Sequence, residues 1–166
     1  GSPGETAETA PEGNAPAGVI AKNSSYSSPI AISDDDSLVV VTNTLNGTIS
    51  LINVAGDANT KLTEVQVGDE PRSVVITPNK AFAYVTNQVS GTVSVVDLAS
   101  QAKVADIPVG AEPYGIALTP DGARAYVANS ASNTVSIIDT TTNSVVGTIN
   151  IPGVQPRGVA ITNNNG

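Results

Sequence analysis

A chain of 166 residues with 40% hydrophobic and 13% charged side chains has the length of one domain, and too few charges for an acidic disordered segment or a coiled coil. Its net charge of −8, from 15 acidic and 7 basic residues, argues against nucleic acid and anionic membrane surfaces, because both need a basic footprint. The sequence has no His and no Cys, which removes from these residues the usual zinc sites, haem ligation, iron–sulfur clusters, disulfides, Cys nucleophiles and His-based triads. Oxygen-only metal sites and carboxylate chemistry remain open to it, but no metal and no cofactor is expected. With no Trp and one Phe, the core has to be built from Val, Ile, Leu and Ala. Leu38 to Val41 is the longest aliphatic run, far short of a membrane-spanning helix.

Residues 1–17 mix Pro, Gly, Glu, Ala and Thr without apolar periodicity, and read as a tail that is flexible or ordered by a partner. The segment Gly18 to Asn23 reads as an extra strand lacking its own sheet. From about residue 27 the chain repeats itself. Pro71-Arg-Ser-Val-Val-Ile-Thr-Pro-Asn79 matches Pro113-Tyr-Gly-Ile-Ala-Leu-Thr-Pro-Asp121, and Pro156-Arg-Gly-Val-Ala-Ile-Thr-Asn-Asn164 follows the same pattern. Ala83-Tyr-Val-Thr-Asn87 matches Ala125-Tyr-Val-Ala-Asn129 and, more loosely, Val39 to Asn43. Thr92-Val-Ser-Val-Val-Asp97 matches Thr134 to Asp139 and Thr48 to Asn53. A period of about 40–45 residues made of short strands is the mark of propeller blades.

Each repeat reads as four strands. In the second they are Ser73 to Thr77, Ala81 to Asn87, Thr92 to Asp97 and Lys103 to Val109. The hairpin between the second and third holds Ser90-Gly91, with Asn46-Gly47 and Ser132-Asn133 in the other repeats, all tolerant of positive φ. In Ala81 to Asn87 one face carries Phe82 and Tyr84, and the other Ala81, Ala83 and Val85. A strand apolar on both faces needs cover on both, which a blade between two blades has and a sandwich with one solvated face lacks. The fold class is thus all-β and of the β-propeller type, with about three four-stranded antiparallel blades at 27–70, 71–112 and 113–155. An extra strand at 156–162 completes a partial propeller spanning 18–166.

The motif Tyr84-Val-Thr-Asn87, with Tyr126-Val-Ala-Asn129 and Val40-Val-Thr-Asn43 as variants, resembles the YVTN-type β-propeller repeat family over residues 27 to 163. That resemblance implies a secreted, cell-surface or periplasmic protein and a complete ring of about seven blades. Three repeats leave the ring open, so either further blades follow or several chains complete it together. The haem-binding relatives need axial His ligands, which this sequence lacks.

Three loops leading into the innermost strands carry Glu70-Pro71-Arg72, Glu112-Pro113-Tyr114 and Gln155-Pro156-Arg157. In a propeller they gather near the central opening. Glu70, Arg72, Glu112, Tyr114, Gln155 and Arg157 are therefore the candidate ligand or partner surface, with the two arginines as forked donors to carboxylates. The plainer reading is that these groups pair with one another or face water. Asp34-Asp35-Asp36 has enough oxygen for calcium, but not the spacing of a calcium loop; a solvated turn explains it better. Asp97 and Asp139, with Asn53 in the first repeat, end third strands and are expected to bond the following turn. Tyr84 and Tyr126 are expected to pack between blades. No catalytic residue is expected, because the abundant Ser and Thr have no base beside them.

These readings converge on an extracellular, cell-surface or periplasmic structural or binding module that is not an enzyme. It is expected to assemble through its open ends and terminal strands with other copies of itself or with further blades. The alternative is a fragment of a larger propeller, such as a quinoprotein-like dehydrogenase or a ligand-binding ring.

Overall fold

The computed structural model describes residues 25–162; the expected tail and the expected strand at Gly18 to Asn23 lie outside them. Strand β1 (Ser25–Tyr26) precedes three four-stranded antiparallel sheets. Blade one holds β2 (Ile30–Ile32), β3 (Leu38–Asn43), β4 (Thr48–Asn53) and β5 (Thr60–Gln66). Blade two holds β6 (Pro71–Ile76), β7 (Phe82–Asn87), β8 (Thr92–Asp97) and β9 (Ala102–Pro108). Blade three holds β10 (Pro113–Leu118), β11 (Arg124–Asn129), β12 (Thr134–Asp139) and β13 (Ser144–Asn150). In each sheet the strands lie side by side in chain order. Strand β14 (Ala160–Ile161) pairs antiparallel with β1, Ser25 opposite Ile161 and Tyr26 opposite Ala160.

The blades are wedged face to face, as strands apolar on both sides require. Leu38, Val40, Ile49 and Leu51 of blade one pack on Val74, Ala83, Val85 and Val96 of blade two. The other face of blade two buries Val75, Tyr84, Val93, Val95 and Ile107 against Ile116, Leu118, Ala125, Val127 and Ile138 of blade three. These residues are mostly β-branched, suited to a pleated buried surface.

The corners repeat as faithfully as the strands. The first turn of each blade has its left-handed residue at Asp36, Lys80 or Gly122 (φ 54, 57 and 72), the central hairpin at Gly47, Gly91 or Asn133 (φ 65, 66 and 54). The third turn uses Asn59, Gln101 or Asn143 (φ 46, 56 and 50), and the entry loops Glu70, Glu112 or Gln155 (φ 53, 52 and 45). A bulge recurs where the third strand meets the fourth, at Leu51/Ile52, Val95/Val96 and Ile137/Ile138. Such a bulge tightens the local twist at the rim of the blade.

The Asn that ends the second strand is a hydrogen-bonding post, half-buried in blade one and buried in blades two and three. Asn87 donates from Nδ2 to Thr92 Oγ1 at 3.1 Å and Ser94 Oγ at 2.9 Å, and its Oδ1 accepts from Gly68 N at 3.1 Å. Asn43 and Asn129 donate to the equivalent pairs, Thr48 and Ser50, and Thr134 and Ser136. The loops into blades two and three come so close that a Cβ on Gly68 or Gly110 would lie 2.7 Å from Asn87 or Asn129 Cγ. Glycine there is a requirement of space.

Between blades two and three, side chains stand in for backbone pairing. Thr86 Oγ1 of blade two donates to Tyr114 O of blade three at 2.7 Å. The Tyr84 ring is buried and its hydroxyl donates to Asn143 Oδ1 at 2.6 Å, across the blade interface. Burial, with a contribution from the nearby Asp139 charge, pushes the Tyr84 phenol up to about 12.

The terminal strands depart from the expectation that they are unpaired: β14, at the place expected for the extra strand 156–162, is held by β1 within the same chain. Residues 25–29 form a strap over the innermost strands. Ser25 Oγ accepts from Leu118 N at 2.9 Å, and Ser27 exchanges bonds with Val159, N to O at 3.0 Å. Ser28 O accepts from Val74 N and Pro29 O from Thr42 N, both at 2.9 Å. Inner strands have one unpaired edge, and an extended segment satisfies it. Gly115 makes room, since a Cβ there would sit 2.3 Å from Ser27 Oγ.

Two predictions follow from this packing. Asn87→Ala should lose about 2–3 kcal/mol in urea unfolding, because it strands one buried and two half-buried partners of its hydrogen bonds; a loss under 1 kcal/mol would show that the post is not holding the blade. Alkaline titration followed at 295 nm should show one tyrosine of the four ionising near pH 12, a step absent in Tyr84→Phe. The folded state keeps this proton after the unfolded chain has released its own, near pH 10. Stability should therefore fall between pH 10 and 12, by on the order of 2 kcal/mol, and Tyr84→Phe should remove that share of the fall.

Candidate functional site

Each entry loop turns through a left-handed residue and a proline before delivering its next side chain to the start of an inner strand. The turn is closed by backbone bonds, Gln88 N to Glu70 O and Ser130 N to Glu112 O, both at 2.9 Å. Repetition of this loop puts Arg72, Tyr114 and Arg157 at equivalent places on successive repeats. The structure brings these three together. The Arg72 Cζ lies 5.5 Å from the centroid of the Tyr114 ring and the Arg157 Cζ 5.6 Å from it, both within cation–π range.

The two guanidiniums differ in what else they touch. Arg72 Nη2 bonds Glu70 Oε2 at 2.6 Å, and its Nε donates to Gln88 Oε1 at 2.5 Å. Glu70 thus closes a short-range pair inside its own loop. Glu112 and Gln155 supply backbone rather than side chains: Glu112 O takes the Ser130 bond, and Gln155 N donates to Asn133 Oδ1 at 2.8 Å. Both side chains are exposed. Of the six expected surface residues, four therefore meet and two shape the loop. Gln88 was not foreseen, because nothing in its type or spacing marks it beyond its place after the motif Asn.

At the opposite ends of the inner strands lies a cavity of about 680 Å³. Ile30, Ala31 and Ile32, Val74 to Ile76, and Leu118 line it, with Tyr26 of the strap and Asp34. Beside it the acidic turn is more than the solvated loop expected from sequence. Asp35 accepts from Ser33 Oγ and Ser37 Oγ at 2.6 Å and meets Lys80 Nζ of blade two at 2.5 Å. The Lys80 ammonium, then the two hydroxyls, hold the Asp35 carboxyl well below the usual range. Its position repeats as Asn79 and Asp121, which accept from Thr77 and Thr119 hydroxyls at 2.7 and 2.6 Å. No cluster of His, Cys, Asp or Glu able to hold a metal occurs among the described residues.

The strand-ending acids behave as turn formers. Asp97 Oδ1 accepts from Ala99 N and Ser100 N at 2.9 Å, and Asn53 Oδ1 from Ala55 N at 3.0 Å. Asp139 accepts from the Thr141 hydroxyl and N–H and pairs with Arg124. The Thr141 bonds, ahead of Arg124, lower the Asp139 carboxyl to about 2.

The two outer faces of the arc are open. On blade one Ile30 and Ile32 are 52% and 51% exposed, with Val39, Val41 and Ile52 half-buried. On blade three Ile149 is 46% exposed, and Tyr126, Val135 and Ile137 are half-buried, although their blade-two counterparts Tyr84, Val93 and Val95 are sealed.

The model of a family described as Lactonase, 7-bladed beta-propeller, matches residues 3–107, and that of a YNCE-like beta-propeller matches residues 80–157. No curated protein matches the chain. Among solved structures, hydrazine synthase of Kuenenia stuttgartiensis is 34% identical, with a TM-score of 0.69 over 72% of this chain and 34% of its own. A functionally unknown protein from Desulfotomaculum acetoxidans is 18% identical, with a TM-score of 0.63 over 81% of this chain and 45% of its own. A putative 6-phosphogluconolactonase from Bacteroides fragilis is 18% identical, with a TM-score of 0.65 over 80% of this chain and 41% of its own. The chain thus spans from about a third to under half the length of these proteins. Three wedged blades and a family match over more than half of the sequence make it a member of the seven-bladed β-propeller family described as Lactonase.

Proposed function

We propose that the chain is a structural and binding module of YVTN-type repeats, working outside the cytoplasm and not as an enzyme. It builds a larger propeller by seating the open face of blade three on the open face of blade one of a second copy. One observation carries this reading: the two open faces are repeat-equivalents of the two sides of an interface already present in the chain. Ile30, Ile32, Val39, Val41 and Ile52 stand where Ile116, Leu118, Ala125, Val127 and Ile138 stand in blade three, and Ile30 pairs with Val41 as Ile116 pairs with Val127. Tyr126, Val135, Ile137 and Ile149 stand where Tyr84, Val93, Val95 and Ile107 stand in blade two. Even the polar partner recurs: Tyr84 bonds Asn143, and its counterpart in blade one, Asn59, has the same left-handed backbone (φ 46 against 50). Such a contact is head-to-tail, so it closes a ring if the rotation permits and otherwise grows a chain. Secretion or surface display rests on the family resemblance alone.

A second reading has support of its own. The family match is to a seven-bladed ring, and the chain covers under half of its structural neighbours; blades of one longer polypeptide would then cover the same faces, and the ring could hydrolyse a lactone.

Light scattering of the 16.6 kDa chain at micromolar concentration should give multiples of that mass. Ile30→Glu and Ile137→Glu should each give a folded monomer. Mixing the two variants should restore a dimer, because one intact junction remains between unlike copies. A folded wild-type monomer, or no dimer in the mixture, would overturn assembly by copies in favour of the longer polypeptide. Turnover of a sugar lactone by the purified chain would overturn the non-enzymatic reading.

A further inference from the structure

Among the described residues one cation lacks an ion-pair partner, and the fold places it against an aromatic ring. Six basic side chains lie among the described residues. Five are in ion pairs: Lys61 with Glu64, Arg72 with Glu70, Lys80 with Asp35, Lys103 with Asp106, and Arg124 with Asp139. Arg157 is the sixth. It is exposed, it has no carboxylate partner among the described residues, and its Cζ lies 5.6 Å from the centroid of the Tyr114 ring.

This pairing is unusual in a protein of charge −8, where acidic groups outnumber basic ones and a lone guanidinium has many candidates. The loop explains it. Arg157 follows Gln155 and Pro156, whereas Arg72 follows Glu70 and Pro71. The residue that neutralises Arg72 from two positions upstream is a neutral amide in the Arg157 loop. The same ring thus faces one guanidinium that is neutralised and one that is not.

We propose that Arg157, backed by Tyr114 and flanked by the Arg72–Glu70 pair, is a binding site for a single carboxylate group. A guanidinium presents a planar fork of donors that matches two carboxylate oxygens, and Arg157 donates no hydrogen bond among the described residues. Stacking on the ring fixes the fork without consuming its donors. One net positive charge suits a monoanion. The carboxylates of Glu70 and of the exposed Glu112, on the neighbouring loops, disfavour a dianion such as phosphate, and the overall acidity disfavours a polyanion. The carboxylate has two possible sources, a small free acid or the C-terminus of a peptide. The inference does not depend on assembly through the open faces, since none of these residues belongs to them.

The test uses the full chain, with the Arg157 side-chain Nε–Hε signal followed by nuclear magnetic resonance at constant ionic strength. Titration with sodium propionate should shift that signal saturably in the millimolar range, while sodium chloride and inorganic phosphate should not. Acetyl-dialanine with a free C-terminus, compared with its amide, separates the sources: tighter binding than propionate points to a peptide terminus, and equal or weaker binding to a free acid. Arg157→Gln, at an exposed position, should weaken propionate binding at least tenfold, read on neighbouring backbone signals. Arg157→Lys, which keeps the charge and loses the fork, should weaken it about fivefold. No saturable shift up to 100 mM, an equal response to chloride, or unchanged affinity in Arg157→Gln would overturn the site.

Discussion

Each sheet in this chain has two apolar faces to hide, and a four-stranded sheet cannot hide either by itself. The wedged stacking, the glycines at the loops and the Asn posts all serve that demand. Blade two meets it from both sides: Ala83 and Val85 are sealed by blade one, Tyr84 and Val95 by blade three. Polar groups between the blades find partners, as with Thr86 Oγ1 on Tyr114 O and the Tyr84 hydroxyl on Asn143, although Asn129 Oδ1 is buried without one among the described residues. At roughly 25 cal/mol per Å² of apolar area, covering a blade face outweighs any single hydrogen bond across it.

The open faces of blades one and three are the same demand left unmet. In the second repeat, residues at the Tyr84, Val93 and Val95 positions reach zero or near-zero exposure. In the third, the chemically similar Tyr126, Val135 and Ile137 do not. The difference lies wholly in what stands opposite. Similar chemistry is thus sealed in one repeat and left half-exposed in the next.

Much of this was legible in sequence because repetition averages out local ambiguity. Thr92 to Asp97 reads as a strand on one alternation, but three aligned copies at a fixed spacing also fix its neighbours and the turn types. The meeting of Arg72, Tyr114 and Arg157 was legible for the same reason: equivalent positions on adjacent blades are adjacent in space. What escaped is what does not repeat. Lys80 reaches Asp35, yet its equivalents are Asp36 and Gly122, so no pattern announces the pair. Tyr84 finds Asn143 59 residues later, a distance that a reading of periodicity does not weigh. The strap at Ser25 to Pro29 escaped because its bonds use backbone and hydroxyls, which carry no hydrophobic signal.

That strap has a consequence for the order in which the molecule forms. Within a blade, each strand pairs with the next in sequence, so contacts are local and can form as soon as the segment exists. The bonds between Ser27 and Val159 join residues 132 apart, and Ser25 waits for Leu118, 93 residues away. The strap can therefore be completed only late: its bonds to Thr42 and Val74 need blades one and two alone, but its bonds to Leu118 and Val159 need residues that are made after them.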